Sequence, residues 1–202
     1  MKIFKPYTSE LLLGCVNNHS WKTFLDLGCA KGPILKELKK RGHFRDKKIY
    51  AIDIRHSFKD YIEEIDKDII FFNDSACNLK NIENNSIDLL VSSQVMEHAE
   101  SDEKMIEEVK RVLSKNGLAY ITTVFKKKWA WYFYRCGGKW RLDPTHVREY
   151  TKDDQLLPLF TKHGFKILKT KKNMFWFHLP FYRKIKIPIF GYYNWEIILR
   201  NK

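Results

Sequence analysis

Thr23-Phe-Leu-Asp26-Leu-Gly28-Cys-Ala30-Lys-Gly32-Pro33-Ile-Leu-Lys-Glu-Leu38 changes character twice along its length. Phe24, Leu25 and Leu27 make an apolar run broken only by Asp26, as in a buried strand. Gly28 to Gly32 is a glycine-containing turn. Pro33 suits the first position of a helix, where its missing N–H would have had no partner. Ile34, Leu35 and Leu38 then recur at helical spacing. The order strand, turn, helix predicts free backbone N–H groups and a positive helix end at the carboxyl end of a strand. In open α/β sheets, ligands bind there.

The neighbouring segments narrow the ligand. A dinucleotide fingerprint wants glycine at three places. Here they hold Gly28, Ala30 and Pro33, so NAD is disfavoured. Lys48-Ile-Tyr-Ala-Ile-Asp53 is a second buried strand ending in a carboxylate, at a spacing from Gly28 that lets an acid bind both hydroxyls of a ribose. Ile69-Ile-Phe-Phe-Asn-Asp74-Ser75 is a third strand, also ending in an acid. Ile87-Asp-Leu-Leu-Val-Ser-Ser93-Gln94-Val-Met-Glu97-His98 follows. It leads into the helical Glu103–Leu113, the turn Lys115-Asn-Gly117, and the strand Leu118–Val124.

Asp26-Leu-Gly28-Cys29-Ala30-Lys-Gly32 resembles motif I of the class I S-adenosylmethionine-dependent methyltransferases. The whole succession from about residue 20 to 125 is similar to their small-molecule ("type 11") group. The resemblance implies S-adenosyl-L-methionine as cofactor. It also implies an α/β fold: a Rossmann-like, doubly wound, seven-stranded, mostly parallel sheet, its last strand antiparallel and inserted between the fifth and sixth. Asp26, Gly28, Cys29, Ala30 and Gly32 would then lie at the methionine moiety. Asp53 would take the ribose diol, with Ile54 packing on adenine. Asp74 and Ser75 would meet the adenine edge, and Ser93 and Gln94 would lie beside the sulfonium. Ala30 departs from the commoner glycine but is small enough for close approach.

Length suits one domain over residues 1–202. Cys15, Cys29, Cys77 and Cys136 form no Cys-x-x-Cys pair, so neither a zinc site nor a disulfide framework is expected. Reduced thiols, the absence of a signal-peptide pattern and the lack of any long apolar run predict a cytoplasmic protein without a transmembrane segment. The net charge of +13 is unevenly placed. Residues 1–125 hold 19 Lys/Arg and 19 Asp/Glu, whereas residues 126–202 hold 18 and 5. That asymmetry predicts a cofactor-binding first half and a basic second half facing an anionic partner.

Two stretches concentrate the charge. Lys126–Arg141 carries six basic residues, six aromatics and no acid, and Lys171–Phe190 also lacks an acid. Cations among aromatics suit bases of RNA or an anionic membrane surface, to which the protein would be peripheral. Trp129, Trp131 and Trp140 are expected to wall a substrate lid; the run His146-Val-Arg148-Glu-Tyr-Thr151 resembles the same family, which implies that Arg148 borders the site. His98 and His146 are the candidate general bases, needed only for a weak nucleophile such as a hydroxyl. No amino-methylating Asp/Asn-Pro-Pro-Tyr motif occurs after the fourth strand, where Ser92-Ser-Gln-Val stands. The expectation is O-methylation of a small or amphipathic anionic acceptor, with no metal. The alternatives are an RNA methyltransferase and a non-catalytic cofactor-binding protein.

Overall fold

The computed structural model describes residues 8–130, 134–136, 138–141, 143–178 and 186–202. Chain order is α1 (Glu10–Asn18), β1 (Thr23–Leu27), α2 (Pro33–Lys40), β2 (Lys48–Ile52), α3 (Lys59–Ile65), β3 (Ile70–Phe72), β4 (Ile87–Ser93), α4 (Asp102–Val112), β5 (Leu113–Lys126), β6 (Tyr134–Cys136), β7 (Lys139–Arg141), α5 (Leu157–Lys162), β8 (Phe165–His178) and β9 (Lys186–Asn201). Seven strands form one sheet in the order β3-β2-β1-β4-β5-β9-β8, and β6 and β7 form a separate ribbon. β9 runs antiparallel to both neighbours, β5 and β8, as the resemblance implied.

Alternation along each strand sends side chains to opposite faces. Phe24, Leu89, Val91, Leu118, Tyr120 and Ile198 pack with Leu12, Leu35, Leu38 and Ile62 of α1, α2 and α3. Leu25, Leu90, Ala119, Ile121, Ile197 and Leu199 pack with Met105, Ile106, Val109 and Phe160 of α4 and α5. The sheet is therefore covered on both sides, and binding chemistry is left to its ends.

Several local readings of the sequence change in the structure. Thr151-Lys-Asp-Asp reads as a capping-box start of a helix with Pro158 inside it. The structure instead has a 3₁₀ turn at Asp153–Gln155, then α5 with Pro158 in its first turn, where proline costs nothing. Ser57 reads as a cap of α3, but it lies in a 3₁₀ turn and Phe58 is the cap residue. Gly117 reads as a left-handed stop of α4, but Leu113 leaves the helix directly in extended conformation, and the left-handed residue is Asn116. Ser101 caps α4: its hydroxyl accepts the Lys104 N–H at 3.2 Å. Residues 165–170 and 195–200 read as two short strands; they lie within the longer β8 and β9, which pair as a hairpin.

Candidate active site

The turn after β1 is bent by positive φ at Gly28 (77°), Ala30 (47°) and Gly32 (66°). Glycine is required twice. A Cβ on Gly28 would meet Val95 Cγ2 at 2.2 Å, and one on Gly32 would meet Ile65 Cδ1 at 2.4 Å. Close approach thus locks the turn to the loop after β4 and to α3. The expected free N–H groups are otherwise employed. Gly28 and Cys29 both donate to Ile52 O (2.7 and 2.9 Å), Gly32 to Cys29 O (2.8 Å), and Ala30 to Asp53 Oδ2 (2.9 Å). The end of β2 lies near enough to collect these donors, a tertiary contact invisible in the turn's own sequence.

Asp26, at the register position opposite Ala51 and Val91, is buried, and its Oδ2 has no hydrogen-bond partner. Burial, and then the charge of Asp53, push its pKa up to about 7. A buried carboxylate without a partner is costly, and a cationic ligand group placed there would relieve it. The residues therefore fit the ammonium of a methionine moiety. Asp53 follows β2. Its Oδ1 accepts the Arg55 N–H at 2.9 Å, and the intervening Ile54 is 74 % exposed, an apolar side chain standing in solvent beside the acid. Asp74 is buried, with Oδ2 accepting from Asn81 Nδ2 (2.8 Å), and Ser75 Oγ accepts the Cys77 N–H (3.1 Å). Both side chains shape their own loop.

Ser93 Oγ lies 3.2 Å from Thr122 Oγ1. Gln94 takes φ 57°, and its Nε2 donates to Asn194 Oδ1 at 3.0 Å, tying the end of β4 to β9. Beyond it the chain turns back, so that Glu97, His98 and His146 come together. Glu97 is fully buried. Its Oε2 accepts from Thr123 Oγ1 (2.9 Å), its Oε1 has no partner, and burial raises its pKa to about 7. The Glu97 carbonyl accepts the N–H groups of Val147 (2.8 Å) and Arg148 (3.3 Å), which docks the His146 loop. The two imidazoles meet edge to face with centroids 4.9 Å apart. His146 Nδ1 is 3.0 Å from Glu149 Oε1. Sequence reading named both histidines but not Glu97 as their neighbour. No spacing in the chain signals a contact between positions 97 and 146.

Arg148 lies beside the turn that carries His98. Its guanidinium donates to the carbonyls of Met96 (2.9 Å), Ala99 (2.5 Å) and Glu100 (2.9 Å), so it braces the His98 turn. Trp129 is 66 % exposed next to the exposed Lys127 and Lys128, and its ring edge lies over Gly191. Trp131 and the side chain of Trp140 fall outside the described residues. Lys126, the first cation of the basic stretch, is fully buried at the end of β5, so it belongs to the core and not to a charged surface. The pair Gly137-Gly138 reads in the sequence as a backbone hinge for the lid; Gly138 takes φ 74°, and Gly137 lies outside the described residues.

A family model described as a methyltransferase domain matches residues 25–121. No curated protein matches the chain. Among solved structures it is similar to an S-adenosylmethionine-dependent methyltransferase from Aquifex aeolicus (17 % identity, 96 % of this chain and 89 % of that one, TM-score 0.62). It is also similar to one from Mesorhizobium loti (15 % identity, 91 % and 92 %, TM-score 0.60). The cyclase SpnF shares the fold as well, at 23 % identity over 80 % of this chain and 60 % of that one, TM-score 0.60.

Proposed function

The chain belongs to the class I S-adenosylmethionine-dependent methyltransferases, in the type 11 group, and on that premise we propose that it methylates a hydroxyl of a small or amphipathic, anionic acceptor. Asp26 and the turn Gly28–Gly32 hold the methionine end, Asp53 the ribose, and Ile54 the adenine face. When bound, S-adenosylmethionine supplies a methyl carbon on a sulfonium; its transfer to a hydroxyl releases one proton and leaves a neutral thioether. What the chain must do is align the acceptor and exclude water.

The observation that carries the hydroxyl reading is the joining of Glu97, His98 and His146 on the loops after β4 and before α5. The loop that bears Glu97 and His98 also carries Val95, which packs on Gly28. Polar, proton-accepting groups are thus gathered beside the cofactor turn. An amine acceptor that is already unprotonated would need none. The anionic acceptor follows from the charge excess, which lies wholly beyond residue 125.

The test is to incubate the protein with methyl-labelled cofactor and separated lipid, RNA and small-metabolite fractions. Label entering lipid or small anions supports the reading. Label entering RNA, with binding that weakens steeply in salt, replaces it with the RNA alternative. No transfer to any fraction favours a non-catalytic role, which a fold shared with a cyclase keeps in view.

A further inference from the structure

We propose that Glu97, His98 and His146 bind a divalent transition-metal ion where the loop after β4 meets the loop before α5. One ligand atom from each residue lies within 4.8 Å of those of the other two. Two ligands at about 2.1 Å from one ion lie at most roughly 4.2 Å apart. Three ligands around one tetrahedral ion lie roughly 3.4 Å apart, so the cluster must close by up to about 1.4 Å, and the exposed His98 can supply the movement.

Hydrogen bonding prepares each group. Thr145 Oγ1 donates its one proton to Asp143 Oδ1 at 2.5 Å. It can then only accept from His98 Nδ1, 3.2 Å away, where the Thr145 carbonyl at 3.3 Å accepts too. His98 Nδ1 is therefore the protonated nitrogen, and Nε2 keeps its lone pair. Glu149 Oε1 beside His146 Nδ1 fixes the second imidazole in the same tautomer. A carboxylate or carbonyl on the far nitrogen is the usual support of a metal-ligating histidine. Glu97 adds a fully buried Oε1 with no partner. Each of the three residues thus offers one ligand atom within reach of the other two. Two imidazoles and one carboxylate from three residues leave coordination positions open, which suits a Lewis-acidic ion better than a closed structural site.

The ion's role rests on the hydroxyl-acceptor reading; its existence does not. On that reading, the acceptor oxygen takes an open position and its proton passes to solvent on the exposed His98 side.

The experiment is a titration of Co²⁺ and Mn²⁺ into the purified chain after stripping with chelator, followed by calorimetry and, for Co²⁺, visible absorption. The expected result is one ion per chain. His98→Gln and Glu97→Gln should each bind it at least about tenfold more weakly, while S-adenosylhomocysteine still raises their melting temperature. Because His98 is exposed, its variant carries the test even if Glu97→Gln fails to fold. No stoichiometric ion in a wild-type chain that S-adenosylhomocysteine stabilises overturns the proposal. So does equal binding by His98→Gln, which would move the ion to the group formed by the exposed Glu103 and Glu107 with the half-buried His163. If the ion binds as expected but methyl is never found on oxygen, the site stands and the hydroxyl reading falls.

Discussion

Asp26 is a buried carboxylate whose Oδ2 has no hydrogen-bond partner. Its folded-state pKa of about 7 lies above the ordinary 3.8. Between these values the folded chain keeps a proton that the unfolded chain has lost. Stability without cofactor therefore falls as pH rises from about 4 to about 7, by at most about 1.4 kcal/mol per pH unit, and levels off above. Urea midpoints should fall less steeply across that range in Asp26→Asn than in the wild type, the remaining slope coming from Glu97, whose pKa burial also raises to about 7. Parallel pH profiles for the two would contradict the account. Gly28 is constrained twice, by its φ of 77° and by Val95. Gly28→Ala should cost about 2 kcal/mol or more. Val95→Ala should recover part of that cost in the double variant, because the two sites share one contact. Strictly additive denaturation energies would show that the contact is not what constrains the turn. Both residues were marked by the sequence as site residues, yet neither the absent partner at Asp26 Oδ2 nor the press of Val95 could be read there. Each depends on positions far along the chain.

At the scale of elements, the strand order and the antiparallel β9 followed from the resemblance, and β1, α2 and β2 from apolar periodicity. What failed was local chemistry with two solutions. Pro158 can break a helix or start one, and Leu156 and Phe160 supply apolar spacing either way. The structure starts a helix, so Pro158→Ala should change stability by less than about 1 kcal/mol, with any change a loss. A gain of about 3 kcal/mol, the cost of a proline inside a helix, would restore the longer helix. Thermal unfolding of the two proteins decides this. The Glu97–His98–His146 cluster was legible only in part. Helix and strand periodicity place each loop at the same end of the sheet, but the bonds from Val147 and Arg148 to the Glu97 carbonyl set the pairing.

For the whole molecule, the uneven charge is the feature that composition made plainest, and the structure sorts it. Lys126 is core, Lys172 lies over the Phe125 and Trp195 rings, and Lys127 and Lys128 stand exposed beside Trp129. Replacing Lys127 and Lys128 by Gln should raise the acceptor KM severalfold at low salt and leave cofactor affinity unchanged. The effect should fade in salt, since exposed charges are screened beyond about 8 Å at physiological ionic strength. An unchanged KM at low salt would detach the basic surface from the acceptor. Among the described residues, no helix is long and apolar enough to cross a membrane. The measurement closest to the central claim is the identity of the atom that receives the methyl group. Cofactor labelled with carbon-13 at the methyl, turned over with the accepting fraction, gives a product whose carbon-13 resonance reports the attached atom. The account predicts a methyl on oxygen in an anionic lipid or small molecule; a methyl on nitrogen or carbon, or in RNA, would contradict it.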